Sequence, residues 1–229
     1  MTYPQPMQSF MSARGRSTAI TVLVLVQIVA LAVSTVAWLA GLAHLGGDAT
    51  AAIAAFGIAG IGETVHSLLF LAATVVFMTW VYRAIANLPA LGSMSCRFTP
   101  AGAVWSFFIP FVNLVRGHQV MATIWQESQP AAVNENGFYL PRKATLVNWW
   151  WGLYLLAGAV GIATSNSHPF TAEDVRSLGE TATVLNGVRI VDGILFLLMV
   201  RGAQARQDEM WLDLERRRNV PQPSADALR

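Results

Sequence analysis

RFTPAGAVWSFFIPFVNLVRGHQVMATIWQES, residues 97–128, stands between two pairs of long apolar runs, and its reading decides what the chain is. Thr99 followed by Pro100 is a helix start: the threonine hydroxyl caps orphan N–H groups, and proline fits the first turn, where its missing N–H costs nothing. Residues 101–109 are apolar nearly all round, yet they supply only about half of the roughly 20 residues that a helix needs to cross a bilayer. Pro110 interrupts the run. Beyond it the pattern is amphipathic. At about 100° per residue, Phe111, Leu114, Val115, Met121, Ala122 and Trp125 share one face, and Arg116, Gln119, Thr123, Gln126 and Glu127 take the other. Such a segment lies in the membrane interface or, alternatively, forms a re-entrant pair. His118 falls within the apolar face. Its charge can change near neutral pH, but no acidic residue or histidine stands at i±3 or i±4, so a neutral ring with one partner in the bundle is the preferred reading.

Working outward, four apolar runs predict membrane spans at residues 18–43, 63–87, 146–165 and 180–200. Composition agrees: 54% of residues are hydrophobic and 12% charged, the mean hydropathy is +0.47, and soluble domains carry about 25% charged residues. The expected fold is an all-α integral membrane protein, four transmembrane helices with a central cytoplasmic-side interfacial or re-entrant helix pair at about 99–128. Residues 1–17, with Pro4 and Pro6, read as a disordered cytoplasmic tail. Arg14 and Arg16 imitate a signal-peptide start, but the run behind them exceeds the roughly 7–15 residues of a cleavable signal, so an uncleaved anchor is expected. Residues 44–62 read as a loop with a short Ala-rich helix, 129–143 and 165–179 as polar loops, and 204–229 as a helical extension and disordered tail.

Orientation follows from Lys and Arg. Two lie in the N-terminal tail, four in residues 87–144 and six from Arg201 onward, against Arg176 alone in the two remaining loops. The positive-inside rule puts both termini and the central segment in the cytoplasm. The two hairpins form a faint parallel repeat, which lends no support to an inverted-repeat transporter.

Polar residues inside the spans are the candidate sites. In span two, Glu63, His66 and Ser67 are helix neighbours, placed by the predicted boundary at the headgroup end. Trp80, Arg83 and Asn87 share a side at the other end and read as interfacial anchors. Trp149, Trp150 and Trp151 mark a further boundary. The sharpest feature is Asn186, Arg189 and Asp192, three polar residues one turn apart near the middle of span four. An arginine there costs on the order of 3 kcal/mol, and Asp192 is the expected ion-pair partner of Arg189. The cluster reads as a structural clamp, or else as a charge on an ion or substrate path.

Other chemistry has no foothold. No P-loop, dinucleotide fingerprint, HExxH or GxSxG occurs. Cys96 is the single cysteine and the four histidines lack ligand spacing, so no catalytic residue, cofactor or metal site is expected. Basic residues follow membrane edges without interleaved aromatics, which argues against nucleic acid. Membrane lipids, anionic ones at Arg216, Arg217 and Arg218 included, and a protein partner or a second copy of the chain are the expected partners.

The ordered set Trp80-x-x-Arg83-x-x-x-Asn87, Leu91-Gly92, Arg97-x-x-Pro100, Trp105, Ile109-Pro110-x-x-Asn113, Gln119-Val120-Met121 and Ile124-Trp125-x-x-Ser128 resembles a family of bacterial, largely actinobacterial, membrane proteins, the domain-of-unknown-function family numbered 4328. The family pattern has a proline shortly after the asparagine, where this chain reads Arg116-Gly117-His118. The resemblance implies an integral membrane protein of the bacterial inner membrane and brings no catalytic residues with it. The expected role is a membrane-embedded interaction or regulatory module; the alternative is a small transporter or channel component using the centre of span four.

Overall fold

The computed structural model describes residues 9–93, 96–129, 142–164 and 171–219. These residues form helices α1 (Arg14–His44), α2 (Ala49–Asn87), α3 (Pro100–Trp105), α4 (Val112–Glu127), α5 (Thr145–Thr164) and α6 (Ala172–Asn219), with one 3-10 turn at Pro89–Leu91. Four of them, α1, α2, α5 and α6, are long and apolar enough to cross a membrane. The six residues of α3 and sixteen of α4 are too few. As expected, Thr99 caps α3, accepting from the Gly102 N–H at 3.1 Å.

Two span boundaries differ from expectation. The Ala-rich residues 49–62 are no loop but the first turns of α2. Asp48 accepts from the Ala51 N–H at 3.0 Å, and alanine, the best helix former, carries the helix unbroken into the predicted span. Residues 172–179 likewise belong to α6. A reciprocal cap starts that helix: Asp174 N–H to the Thr171 hydroxyl at 3.1 Å and Thr171 N–H to the Asp174 carboxylate at 2.9 Å. At the N-terminus α1 begins four residues ahead of the predicted span. Of the tail expected at 1–17, residues 1–8 lie outside the described residues, as do residues 220–229 and residues 130–141 and 165–170 of the expected loops.

α1 packs along α2 and α6, α5 packs on α6, α3 on α2 and α4 on α5. Lipid tails are as apolar as leucine, so close fit rather than hydrophobicity must hold such helices together. Gly62 shows how: a Cβ there would stand 2.9 Å from Ser34 Cβ and 3.0 Å from the Ala30 carbonyl oxygen. The densest core lies at the end of the bundle that carries α3 and α4, where Trp80, Val81 and Ile85 of α2 meet Met121 and Ile124 of α4 and Met199 of α6. Elsewhere the long helices turn Val29, Val36, Leu71, Val75, Ile162 and Val184 outward. An apolar exterior of this extent fits a lipid environment.

α3, the turn through Pro110 and α4 form an elbow at that end. Its buried face is Gly117, Val120, Met121 and Ile124, displaced from the predicted one. A Cβ on Gly117 would meet the Trp151 ring at 2.6 Å, so the glycine lets α5 press in there. Phe111, Leu114 and Val115 are left 85%, 50% and 58% exposed.

Candidate functional site

Two polar layers cross the bundle, and a groove runs between them. The first layer joins α1, α2 and α6. Glu63 stands about 21 Å along α2 from its start, at 1.5 Å per residue, so it sits well inside the helix and not at its end. Its Oε1 accepts from the Ser34 hydroxyl at 2.9 Å and from the Asn186 amide at 2.7 Å. Its Oε2 accepts from Arg189 Nη1 at 3.2 Å, and Arg189 also approaches Asn186 Oδ1 at 3.5 Å. One carboxylate thus gathers a hydroxyl, an amide and a guanidinium. A cavity of about 170 Å³ opens beside this layer, lined among others by Trp38, Thr164, Thr181 and Arg189.

The expected pairing of Arg189 with Asp192 is not made. Arg189 turns toward α2 and α5, its Nη2 lying 3.6 Å from a Cβ built on Gly161, while Asp192 lines the groove on the other side. Asn186 lines the cavity, Asp192 lines the groove, and Arg189 stands between the two and lines both.

The second layer ties the elbow end together and uses the resemblance motif. Trp80 is fully buried, and its indole N–H donates to Gln204 at 3.0 Å. It is a core residue, not the interfacial anchor expected. Gln204 donates onward to Asp208 at 3.0 Å, and Asp208 pairs with Arg14 at 3.2 Å. Asn87 binds the Met11 backbone on both sides, accepting from its N–H at 3.2 Å and donating to its carbonyl at 3.0 Å. Gln207 donates to the Ala84 carbonyl at 3.2 Å and the Ser128 hydroxyl at 3.1 Å. Among the other motif residues, Arg83 is half-buried, Pro110 is exposed at the elbow, and Asn113 lines the groove. Trp125 carries the Arg206 guanidinium 3.7 Å over its ring. His118 meets Asn148 at 2.8 Å, the single-partner arrangement preferred from the sequence.

The groove lies between α2 and α5, with α6 and α1 as its floor and the elbow closing one end; its volume is about 860 Å³. Phe77, Trp150, Tyr154 and Phe196 line it, with Gln27, His66 and Asp192 among them. Among the described residues no three of His, Cys, Asp or Glu converge closely enough to hold a metal ion.

Sequence reasoning missed Ser34, Gln204, Gln207 and Asp208. Only the last three left a signal: they stand at i, i+3 and i+4 and so share one face of α6.

Taken together, the fold defines a helical bundle with four helices fit to span a membrane and no recognisable catalytic constellation among its described residues. Residues 43–205 match the family described as Domain of unknown function (DUF4328), and the chain belongs to it. No curated protein and no solved structure matches the chain.

Proposed function

We propose that the protein is an interaction or regulatory module of the bacterial cytoplasmic membrane, with both termini inside, whose elbow lies in the cytoplasmic leaflet. The observation that carries this reading is the exposed apolar rim of the elbow: Trp105 at 64%, Phe108 at 56%, Ile109 at 48% and Phe111 at 85%, continued by Leu114 and Val115. The rim is continuous with the lipid-facing sides of the bundle, and Arg116 stands beside it at a height where its guanidinium reaches phosphates. Phe111 is the one described non-glycine residue with positive φ, at +63°. Such a conformation costs on the order of 1 kcal/mol or more and is kept only where the surroundings hold it; here it aims the ring away from the protein.

A spin label on Phe111→Cys in a Cys96→Ser background tests the placement. In bilayers it should be relieved by oxygen far more than by a water-soluble nickel chelate. Equal relief by the nickel reagent at Phe111 and at an exposed loop cysteine overturns it.

A second reading, a small transport component, draws on Arg189, which lines both the outer cavity and the groove. Opening the Glu63–Arg189 contact would join them. Conductance or uptake in proteoliposomes that rises in Glu63→Gln favours this reading; identical leak with and without the protein rejects it.

A further inference from the structure

The groove between α2 and α5 has the size and the lining of a ligand site. Its roughly 860 Å³ falls within the range of about 300–1,000 Å³ typical for small-molecule pockets. Its lining is mostly apolar, and Leu71 and Ile162 on it are 64% and 75% exposed, which marks the mouth as open sideways to lipid. Aromatic rings form a continuous wall: Phe77 to Phe196 at 5.0 Å, Phe196 to Trp150 at 5.6 Å and Trp150 to Tyr154 at 6.1 Å between centroids. Into this apolar space the chain places Gln27, His66 and Asp192. Gln27 Nε2, His66 Nδ1 and Asp192 Oδ1 are all buried and make no hydrogen bond within the protein. Asn113 Oδ1, at the elbow end of the groove, is a fourth such atom. A buried polar atom left without a partner costs about 1–3 kcal/mol, and four of them lining one groove call for something that satisfies them.

We propose that the groove binds an amphiphile of the isoprenoid-quinone class, a flat neutral ring with oxygen atoms at opposite ends and an apolar tail. Three features select that chemistry. Asp192 stands about 14 Å along α6 from Arg201, at 1.5 Å per residue, so the polar groups lie deep in the hydrocarbon. A phospholipid head carries permanent charges that cannot follow them to that depth; of the groove's own charged side chains, Arg189 is already held by Glu63 and Asp192 repels an anionic head. A neutral quinoid ring can sit there. Its carbonyl oxygens accept from the Gln27 amide and from a protonated His66 nitrogen; in the reduced form its hydroxyls donate to Asp192. The aromatic wall offers faces for offset stacking on the ring, and the tail leaves through the mouth between Leu71 and Ile162. The elbow, through Phe107, Phe108 and Leu114, closes the end of the groove.

The test is fluorescence titration of the full chain in detergent micelles with 2,3-dimethyl-1,4-naphthoquinone, the groove's own Trp150 and Trp151 reporting. Quenching should saturate. The dimethoxy analogue of the probe, which keeps the ring but loses both carbonyls, should compete at least about tenfold less well. Gly158→Phe should abolish saturation: Gly158 lines the groove and nothing stands within 4 Å of a Cβ there. Asp192→Leu should weaken binding of the reduced, quinol form of the probe by about tenfold. Both variants should melt in the absence of probe at the wild-type temperature, which separates lost binding from lost fold. Quenching that rises linearly and equally in wild type and Gly158→Phe is partition into micelles and overturns the proposal. So does equal competition by the dimethoxy analogue, which needs no variant, or displacement of the probe by phospholipid alone.

Discussion

Glu63 and Asp192 are both acidic residues within membrane-spanning helices, yet the structure treats them in opposite ways. Glu63 is surrounded by Ser34, Asn186 and Arg189, whereas Asp192 Oδ1 has no partner within the protein. Removing one member of a desolvated pair leaves the other charge uncompensated. Glu63 and Arg189 keep 29% and 27% of their side-chain surface, so the cost is discounted to about 2 kcal/mol, below the roughly 3–5 kcal/mol of fully buried pairs. Glu63→Gln should therefore lower the melting temperature of the purified protein by several degrees, and Glu63→Gln combined with Arg189→Gln should recover much of it. Asp192→Asn should melt like wild type. If Asp192→Asn instead proves the more damaging single change, Arg189 pairs along its own helix and the interhelical account fails.

At the scale of elements, Gln207 is the residue on which three helices depend. It is fully buried in α6 and holds the α2 carbonyl of Ala84 and the Ser128 hydroxyl at the end of α4. Gln207→Leu keeps the bulk and deletes both bonds, together with the one that Gln207 accepts from the Asn87 amide at 3.5 Å, leaving Ser128 and Ala84 to find water that cannot reach them. The expected loss is about 2 kcal/mol, or roughly 4–8 °C in melting temperature for a chain of this size. An unchanged midpoint would show that the layer is hydrated and contributes little. This layer also shows where sequence reading stops. Four apolar runs announce four helices because bilayer thickness sets their length, and the Thr99-Pro100 start and Pro110 break are local signals. The position of Glu63 in mid-helix was hidden, since an alanine-rich stretch reads equally well as loop or helix until its cap at Asp48 is seen. The inner face of α4 was misplaced for another reason: the hydrophobic stripe of a membrane-associated helix points at lipid as readily as at protein. Trp80 had the same ambiguity, and its partner Gln204 lies 124 residues away. Pairings between distant helices leave no periodicity to read.

At the scale of the molecule, the segment that leads into α1 meets the last third of α6 at one end of the bundle. Phe10 stacks on Trp211 at 5.1 Å between ring centroids, Arg14 pairs with Asp208, and Met11 is held by Asn87. That end also carries the elbow, as expected if α1, α2, α5 and α6 each cross once and the elbow returns to the side it left. The charges sort the same way. Arg14, Arg16, Arg83, Arg97, Arg116, Arg142, Lys143, Arg201 and Arg206 gather at the elbow end, while the opposite end offers Arg176 among Asp48, Glu173, Asp174 and Glu180. Basic residues near span ends resist translocation, so the elbow end should face the cytoplasm. Reporter fusions after Gly47 and after Pro169 should report the outside, and fusions after Ser128 and at Arg229 the inside. Labelling gives an independent check: Cys96 and a cysteine placed at Gln129 flank the elbow and should react from the same, cytoplasmic side of sealed vesicles. Reaction of the two from opposite sides would make residues 100–125 a fifth crossing. The start of α1 and the last turns of α6 would then lie on opposite faces of the membrane, which the contacts of Phe10 with Trp211 and of Arg14 with Asp208 do not permit.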